Sequence, residues 1–260
     1  MKKGLLIGYA LLLVTCLPAQ QVIDLLNCDQ EIPLLGDIRS ISHKKINLYP
    51  NEGFSTWELN FDKENRLVQE KAVEQGAELR HRYSEMGQLT STVRFVKGTR
   101  MDSTVFLYDD TGKLFRKLSF GTSKSPQTIF QFSYDTLGRI TQVEAKDQVN
   151  RFRQSVEYLD SANQVIISHA QGPHTRRLLF PFDSDKQCIN RLIREVKNIK
   201  GQIAMQEVAK FSTSKTNNEV SILHEYQYDE QGNWIWHRQS DFQNGIKTPT
   251  TLWIRKIKYR

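Results

Sequence analysis

Acidic residues recur along this sequence at a nearly constant interval, and paired carboxylates are the working groups of glycoside hydrolysis. Asp62, Asp109, Asp135, Asp160, Asp183 and Asp229 each follow an apolar residue, and all but Asp183 have Gly or Asn three places on. That spacing is turn chemistry before it is acid–base chemistry. An Asp side chain accepts from the backbone amide two residues later, and Gly or Asn tolerates the positive φ that closes the turn. Glu225 and Asp229, beside an aromatic cluster, are the acids that merit a test. His169 and His174 flank Gly172-Pro173 at a spacing that matches no metal-ligand pattern and read as loop histidines. The chain has no G-x-S-x-G, no H-E-x-x-H, no phosphate-cradling glycine loop and no C-x-x-C. No catalytic set, metal site or cofactor is expected. The residues best suited to a ligand are Tyr226, Tyr228, Trp234, Trp236 and Trp253, whose rings can stack on sugars or apolar partners. Trp236, two residues from Trp234, is expected on the same face, where burial competes with binding.

The elements that must carry these residues are written in a repeat. The pattern is apolar, Asp, two variable residues, Gly or Asn, any residue, apolar. It appears with Asp62 and Asn65, Asp109 and Gly112, Asp135 and Gly138, Asp160 and Asn163, and Asp229 and Gly232. Looser copies start at Ser84 and Asp183, the latter with Lys186 as a misfit, and a degenerate one joins Asn198, Gly201 and Ile203. Turn positions 62, 84, 109, 135, 160 and 183 are 22, 25, 26, 25 and 23 residues apart, too regular for chance matches. A type I turn followed by one left-handed residue, a G1 bulge, fits this chemistry. It puts the residue before the Asp opposite the residue two after the Gly. The expected pairs are Phe61 with Leu67, Tyr108 with Leu114, Tyr134 with Ile140, Leu159 with Val165, and Tyr228 with Trp234. On the other face, Leu107 is expected opposite Phe115 and Arg82 opposite Thr90.

Gly76, Gly98, the stretches 121–126 and 212–218, Gly172-Pro173 and Asn244-Gly245 mark the returns. The last strand is expected over Thr250–Tyr259. Only a short piece near Val22 to Leu26 has a helical apolar period. The fold class expected is all-β: an antiparallel meander of tandem β-hairpin repeats, curled into a barrel-like or spiral sheet with one packed face.

Tyr108-Asp109-Asp110-Thr111-Gly112-Lys113-Leu114, Tyr134-Asp135-Thr136-Leu137-Gly138-Arg139-Ile140 and Tyr228-Asp229-Glu230-Gln231-Gly232-Asn233-Trp234 resemble YD repeats of the RHS family. The first two carry the basic residue that usually follows the glycine. The resemblance spans roughly residues 55 to 240. It implies a curling β-strip in proteins that act at cell surfaces, bind carbohydrate or protein, or encase toxins. This chain departs from large members in having few, partly decayed repeats, no Asp-Pro junction and no extra toxin domain. Such a likeness speaks to fold more than to function.

Lys2 and Lys3 precede an apolar run from Leu5 to Leu13, and the segment ends near Pro18-Ala19, the layout of a secretory signal peptide. The run is shorter than the roughly 20 residues of a spanning helix, and no transmembrane span is expected elsewhere. Cleavage is expected after Ala19. A competing reading takes Leu13-Val14-Thr15-Cys16 as a lipobox with a lipid anchor at Cys16, for which Thr15 is a poor fit. The expected division is therefore a signal peptide over 1–19, an N-terminal segment over 20–54 and a repeat domain over 55–260.

Removing 1–19 takes two lysines and no acid, so the formal charge falls from +7 to +5. Arg80, Arg82, Arg94 and Arg100 are interleaved with Glu78, Glu85 and Asp102, which argues against a nucleic-acid stripe. Cys28 and Cys188 would remain. Paired in an oxidising compartment, they would close a loop that stabilises by about 5 kcal/mol. A core position for Cys188 reads equally well. Two functions follow from these residues: an exported, non-enzymatic protein of the bacterial envelope or medium that binds a glycan or envelope protein, and a hydrolase of envelope polysaccharide. A deep cleft holding two acids not used in turns would mark the hydrolase.

Overall fold

The structure is a computed structural model and describes residues 34–48, 53–147, 151–171, 174–182, 192–209 and 221–260. The signal segment, Cys28, Asp183, Lys186, Cys188, Gly172-Pro173 and the return at 212–218 lie outside the described residues. In chain order the strands are β1 (Ile38–Asn47), β2 (Gly53–Phe61), β3 (Leu67–Ala72), β4 (Ala77–Tyr83), β5 (Leu89–Val96) and β6 (Thr99–Tyr108). β7 (Leu114–Phe120), β8 (Thr128–Tyr134), β9 (Ile140–Lys146), β10 (Arg151–Leu159), β11 (Gln164–Gln171) and β12 (His174–Pro181) follow. The last are β13 (Leu192–Lys197), β14 (Ile203–Ala209), β15 (Ser221–Tyr228), β16 (Trp234–Gln243) and β17 (Ile246–Tyr259). All belong to one 17-stranded sheet, and the only helical turn among the described residues is the 3-10 turn Asp160–Ala162. The last strand thus begins four residues earlier than its sequence suggests.

The repeat explains the hairpins. At Asp135 the amide donates to the Arg139 carbonyl (2.9 Å) and the Gly138 amide to the Asp135 carbonyl (3.0 Å). The Asp135 carboxylate accepts from the Arg139 amide at 2.8 Å, and Gly138 sits at φ +80°. The same bonds recur at Asp62, Ser84, Asp109, Asn198 and Asp229. Phe61 faces Leu67, Tyr108 faces Leu114, Tyr134 faces Ile140 and Tyr228 faces Trp234. The Asn198 copy behaves likewise, with Lys197 opposite Ile203.

A feature absent from the sequence reading follows each of these pairs. The register slips by one residue immediately beyond it, leaving Val68, Phe115, Thr141, Ala204 and Ile235 as bulge residues. A bulge turns the following side chains to the other face. Leu107 therefore faces Arg116 and not Phe115. Thr90 reaches Arg82 through its hydroxyl, which donates to the Arg82 carbonyl at 3.1 Å.

The Asp160 hairpin departs from the pattern. Leu159 pairs with Gln164, and Val165 faces Tyr158 instead of Leu159. Its carboxylate is also differently engaged: Asp160 accepts from Arg139 of the preceding turn at 2.6 Å. Its own turn tightens into the 3-10 form, with Asn163 at φ 49°. Tyr158, not Leu159, takes the place of the repeat's tyrosine. Its hydroxyl donates to the Ile140 carbonyl (2.9 Å), as Tyr108 does to Leu89 (3.0 Å), Tyr134 to Leu114 (2.8 Å) and Tyr228 to Ile203 (2.6 Å). In each case the acceptor belongs to the previous hairpin, just past its left-handed residue. Tyrosine thus ties one repeat to the next.

The chain forms two compact units, one holding Leu79–Ile189 and the other Gln30–Glu78 with Asn190–Arg260. The first has a hydrophobic core on one sheet face, with Phe130, Val143, Ala145, Phe152, Val156, Val165, Ile167, Phe180 and Phe182 buried together and the fully buried Gln154 on the same face. Its opposite face carries ion pairs such as Arg151 and Arg153 with Glu144. In the second unit β1 lies between β17 and β2, with Ile41 opposite both Ile257 and Leu59. Within this unit the last strand, β17, therefore pairs with the first, β1.

The β1 end is held by two asparagines of the repeat turns and by the last residue. Asn65, at φ 57°, donates to the Gly36 carbonyl (2.9 Å) and accepts from the Ile38 amide (3.0 Å). Asn233, which replaces the basic residue after the glycine, is 1% exposed. It accepts from the Leu35 amide (2.6 Å) and donates to the Leu35 carbonyl (2.7 Å) and the Tyr259 hydroxyl (2.8 Å). Arg260 pairs with Asp37 and donates to the Phe61 and Asp62 carbonyls.

Candidate functional site

The aromatic cluster is built by register in the second unit. Tyr226 on β15 faces His237 on β16, which faces Trp253 on β17, which faces Lys45 on β1. The first three rings form a column, with centroids 4.4 Å apart at both steps and planes 12° and 8° from parallel. Trp234 meets His43, Tyr226 and His237 edge-on, and the Arg255 guanidinium lies 3.3 Å from its ring centroid. His224 Nδ1 is 2.9 Å from His237 Nε2, so one nitrogen of the pair donates and the other accepts.

Trp236 is not in this cluster. Ile235 is the bulge residue, so Trp236 faces Gln227 and Ile254 on the opposite face, under the Arg238 guanidinium. Alternation by two fails wherever a bulge intervenes. The histidines and Arg255 were the residues that sequence reasoning missed. Their signal was present: apolar and aromatic positions on β1, β16 and β17 alternate with charged ones only until His43, His237 and Arg255 enter the inward set.

Burial sets the electrostatics. It holds His224 down to about 4. His43 is lowered to about 3 by burial first, then by Arg255 and Lys45. His237 falls to about 2 through burial, His224, Arg255 and His43. All three are neutral imidazoles at pH 7, and their positive neighbours are Arg255 and Lys45.

The ring stack also consumes ring faces. His237 covers one face of Trp253, and Lys45 Nζ lies 5.7 Å from that ring's centroid. Trp234 is 8% exposed and capped by Arg255. Tyr226, the terminal ring of the column, and Tyr228 line a groove of about 330 Å³ with Asn198, Lys200, Gln202 and Asp229. Neither candidate acid is disposed for hydrolysis there. Glu225 points to the other face and is held by Arg238 (2.8 Å) and Lys247 (2.5 Å). Asp229 accepts from the Asn233 amide (2.9 Å) and the Tyr259 hydroxyl (2.5 Å). Among the described residues no group of three or more His, Cys, Asp or Glu is placed to hold a metal ion. His169 packs against Phe152, at 6.0 Å between ring centroids.

No protein-family profile matches this chain, and no curated protein matches it. Among solved structures it is similar to a porin-like protein from Bacteroides uniformis, at 11% identity and a TM-score of 0.43, over 86% of this chain and 98% of that one. It is also similar to the TcdB2-TccC3 structure without its hypervariable C-terminal region, at 10% identity and a TM-score of 0.24. That match covers 80% of this chain and spans only 16% of the other. No helix among the described residues is long and apolar enough to cross a membrane, which says nothing of strands.

Proposed function

We propose that this is an exported, non-enzymatic β-repeat protein that binds a glycan or a partner protein at the bacterial envelope or outside the cell. Export rests on the signal-peptide layout of residues 1–19, and the resemblance to YD repeats places such strips at cell surfaces. The observation that carries the binding role is the groove beside Tyr226 and Tyr228. It is lined by two aromatic rings, the Lys200 ammonium and the Gln202 amide, whose NH2 group can donate, which is stacking and hydrogen-bonding chemistry. Asn198 holds its own turn and the Gln202 carbonyl oxygen. Its one carboxylate, Asp229, is committed to its own turn and to Tyr259. An acid–base pair is what glycoside hydrolysis requires, and the groove lacks the second member.

The test uses mature protein beginning at Gln20 on an array of bacterial envelope glycans. Binding that falls at least tenfold in Tyr226→Ala and Gln202→Ala, with unfolding midpoints unchanged, supports the groove. Release of new reducing ends from envelope polysaccharide, abolished by Glu225→Gln or Asp229→Asn, would establish the hydrolase in its place.

A further inference from the structure

The other face of the second unit is solvent-facing and has its own order. Trp236, Ile254, Lys44 and Thr56 form one cross-strand row over β16, β17, β1 and β2. Arg238, Leu252, Ile46 and Phe54 form the next row on the same face. Phe54 is 60% exposed, and Leu48 and Ile254, at 39% and 36%, are exposed beside it. In the opposite direction along the strands come Lys256, opposite Ser42, and then Lys258, opposite Ser40. Lys44, Lys256 and Lys258 are all exposed. Glu225 is offset by Arg238 and Lys247. Glu58 stands within these rows, and Glu74, which accepts from the Thr56 amide, lies beside Lys44, so Lys256 and Lys258 carry the net positive charge of this face.

We propose that this face of β16, β17, β1 and β2 docks on the surface of an anionic lipid bilayer, with Phe54, Ile46, Leu252 and Ile254 at the acyl boundary and the lysines among the phosphates. The gradation decides between occupants. A protein partner is met by an apolar centre inside a polar rim. Here the rows across β17, β1 and β2 run from Leu252, Ile46 and Phe54 through Ile254 and Lys44 to Lys256 and then Lys258, about 7 Å apart, as a bilayer interface gives way from acyl chains to headgroups. Arg238, at the β16 edge, is paired to Glu225. Aliphatic Ile and Leu have no groups to pattern hydrogen bonds to a sugar. Lysine stems run along apolar surface while the ammonium stays in water, and the Lys44 ammonium already sits 4.6 Å from the Phe54 ring centroid. Charge complementarity selects phosphate-rich, anionic headgroups.

The experiment is co-sedimentation of the mature protein, residues 20–260, with vesicles of phosphatidylcholine alone or containing one-third phosphatidylglycerol. Binding to the anionic vesicles, at least fivefold weaker for Phe54→Ser with Ile254→Ser and again for Lys256→Glu with Lys258→Glu, is the expected result. High salt should weaken it. These positions are exposed, and circular dichroism checks that the variants stay folded. Failure to bind either vesicle overturns the proposal, as does binding that both double variants retain. Lysine-dependent binding to a soluble anionic polysaccharide, indifferent to Phe54, would overturn it in favour of a carbohydrate. A Phe54-dependent dimer in analytical ultracentrifugation would overturn it in favour of self-association. The glycan test at Tyr226 concerns the opposite face and can fail or succeed independently.

Discussion

The repeated tyrosine is a tyrosine, and not a phenylalanine, because its hydroxyl has a fixed partner in the previous hairpin. A net hydrogen bond of this kind is worth about 1 kcal/mol. Tyr134→Phe should therefore lose about that much in urea unfolding while keeping its place opposite Ile140, whereas Tyr134→Ala should lose more. Gly138 offers a cleaner test of the turn. A Cβ there would meet only the Lys113 tail at 3.5–3.6 Å, so space is not limiting and the cost of a substitution is the cost of φ +80°. Left-handed backbone costs an ordinary residue about 1–2 kcal/mol and a β-branched one more, while Asn tolerates it. The expected order of stability is Gly, Asn, Val. A Val variant as stable as the parent would remove the turn assignment. The basic residue after the glycine also has a reason: Arg139 bonds Asp135 through Nε at 2.7 Å and reaches Asp160 of the next turn through Nη1 at 2.6 Å. One arginine thereby links two repeats.

At the scale of elements, what could be read was local and what could not was the ladder beyond it. Asp, Gly and the flanking apolar residues specify the turn and its first pair, because both depend on seven consecutive residues, as from Tyr134 to Ile140. The bulge after that pair has no residue signature, as Val68, Phe115, Thr141, Ala204 and Ile235 share no chemistry, and so the faces of Phe115 and Trp236 were misassigned. β1 was hidden for a different reason. It carries no repeat, and its two partners are the next strand, β2, and the last, β17, which no local pattern can report. Its trace was in two asparagines of the repeat turns, Asn65 and Asn233, which are the clasps for residues 35–38. Asn233→Ala should be the costlier of the two. It would remove three part-buried hydrogen bonds, to the Leu35 amide and carbonyl and to the Tyr259 hydroxyl, each worth about 1 kcal/mol net. Hydrogen exchange should then quicken at Leu35 and along the β1–β17 ladder before the rest of the sheet opens. Exchange that stays uniform across the sheet would mean that Asn233 holds no clasp.

For the whole molecule, both units bury titratable or polar groups, and the titratable ones make stability depend on pH. The first packs Phe, Val and Ile together and also buries His81 and Gln154. The second places His43, His224 and His237 beside Arg255, with Glu70 only 2% exposed. Burial likewise lowers His81 to about 4 and raises Glu70 to about 7. An imidazole with a depressed folded-state value stays neutral in the fold and takes up a proton near pH 6.5 once unfolded. Acidification from 6.5 toward 4 therefore favours the unfolded chain, by up to about 1.4 kcal/mol per pH unit for each such group. Glu70 works in the other sense: its contribution is full below about 4.5 and is lost as pH rises toward 7. The turn carboxylates do not enter this window. Burial pushes Asp62 and Asp135 up, but the amides and guanidiniums of Arg66 and Arg139 outweigh it, so both titrate below their ordinary value near 3.8. Four histidines outnumber one glutamate between pH 4.5 and 6.5, so the urea midpoint should fall steadily on acidification across that range. His224→Asn with His237→Asn should flatten the slope even where it lowers the midpoint, because the slope counts protons taken up on unfolding and not packing lost. A midpoint that is level or rises as the pH drops from 6.5 to 4.5 would show that these imidazoles are already protonated in the folded protein, and that the ring column is not the neutral, desolvated stack its geometry describes.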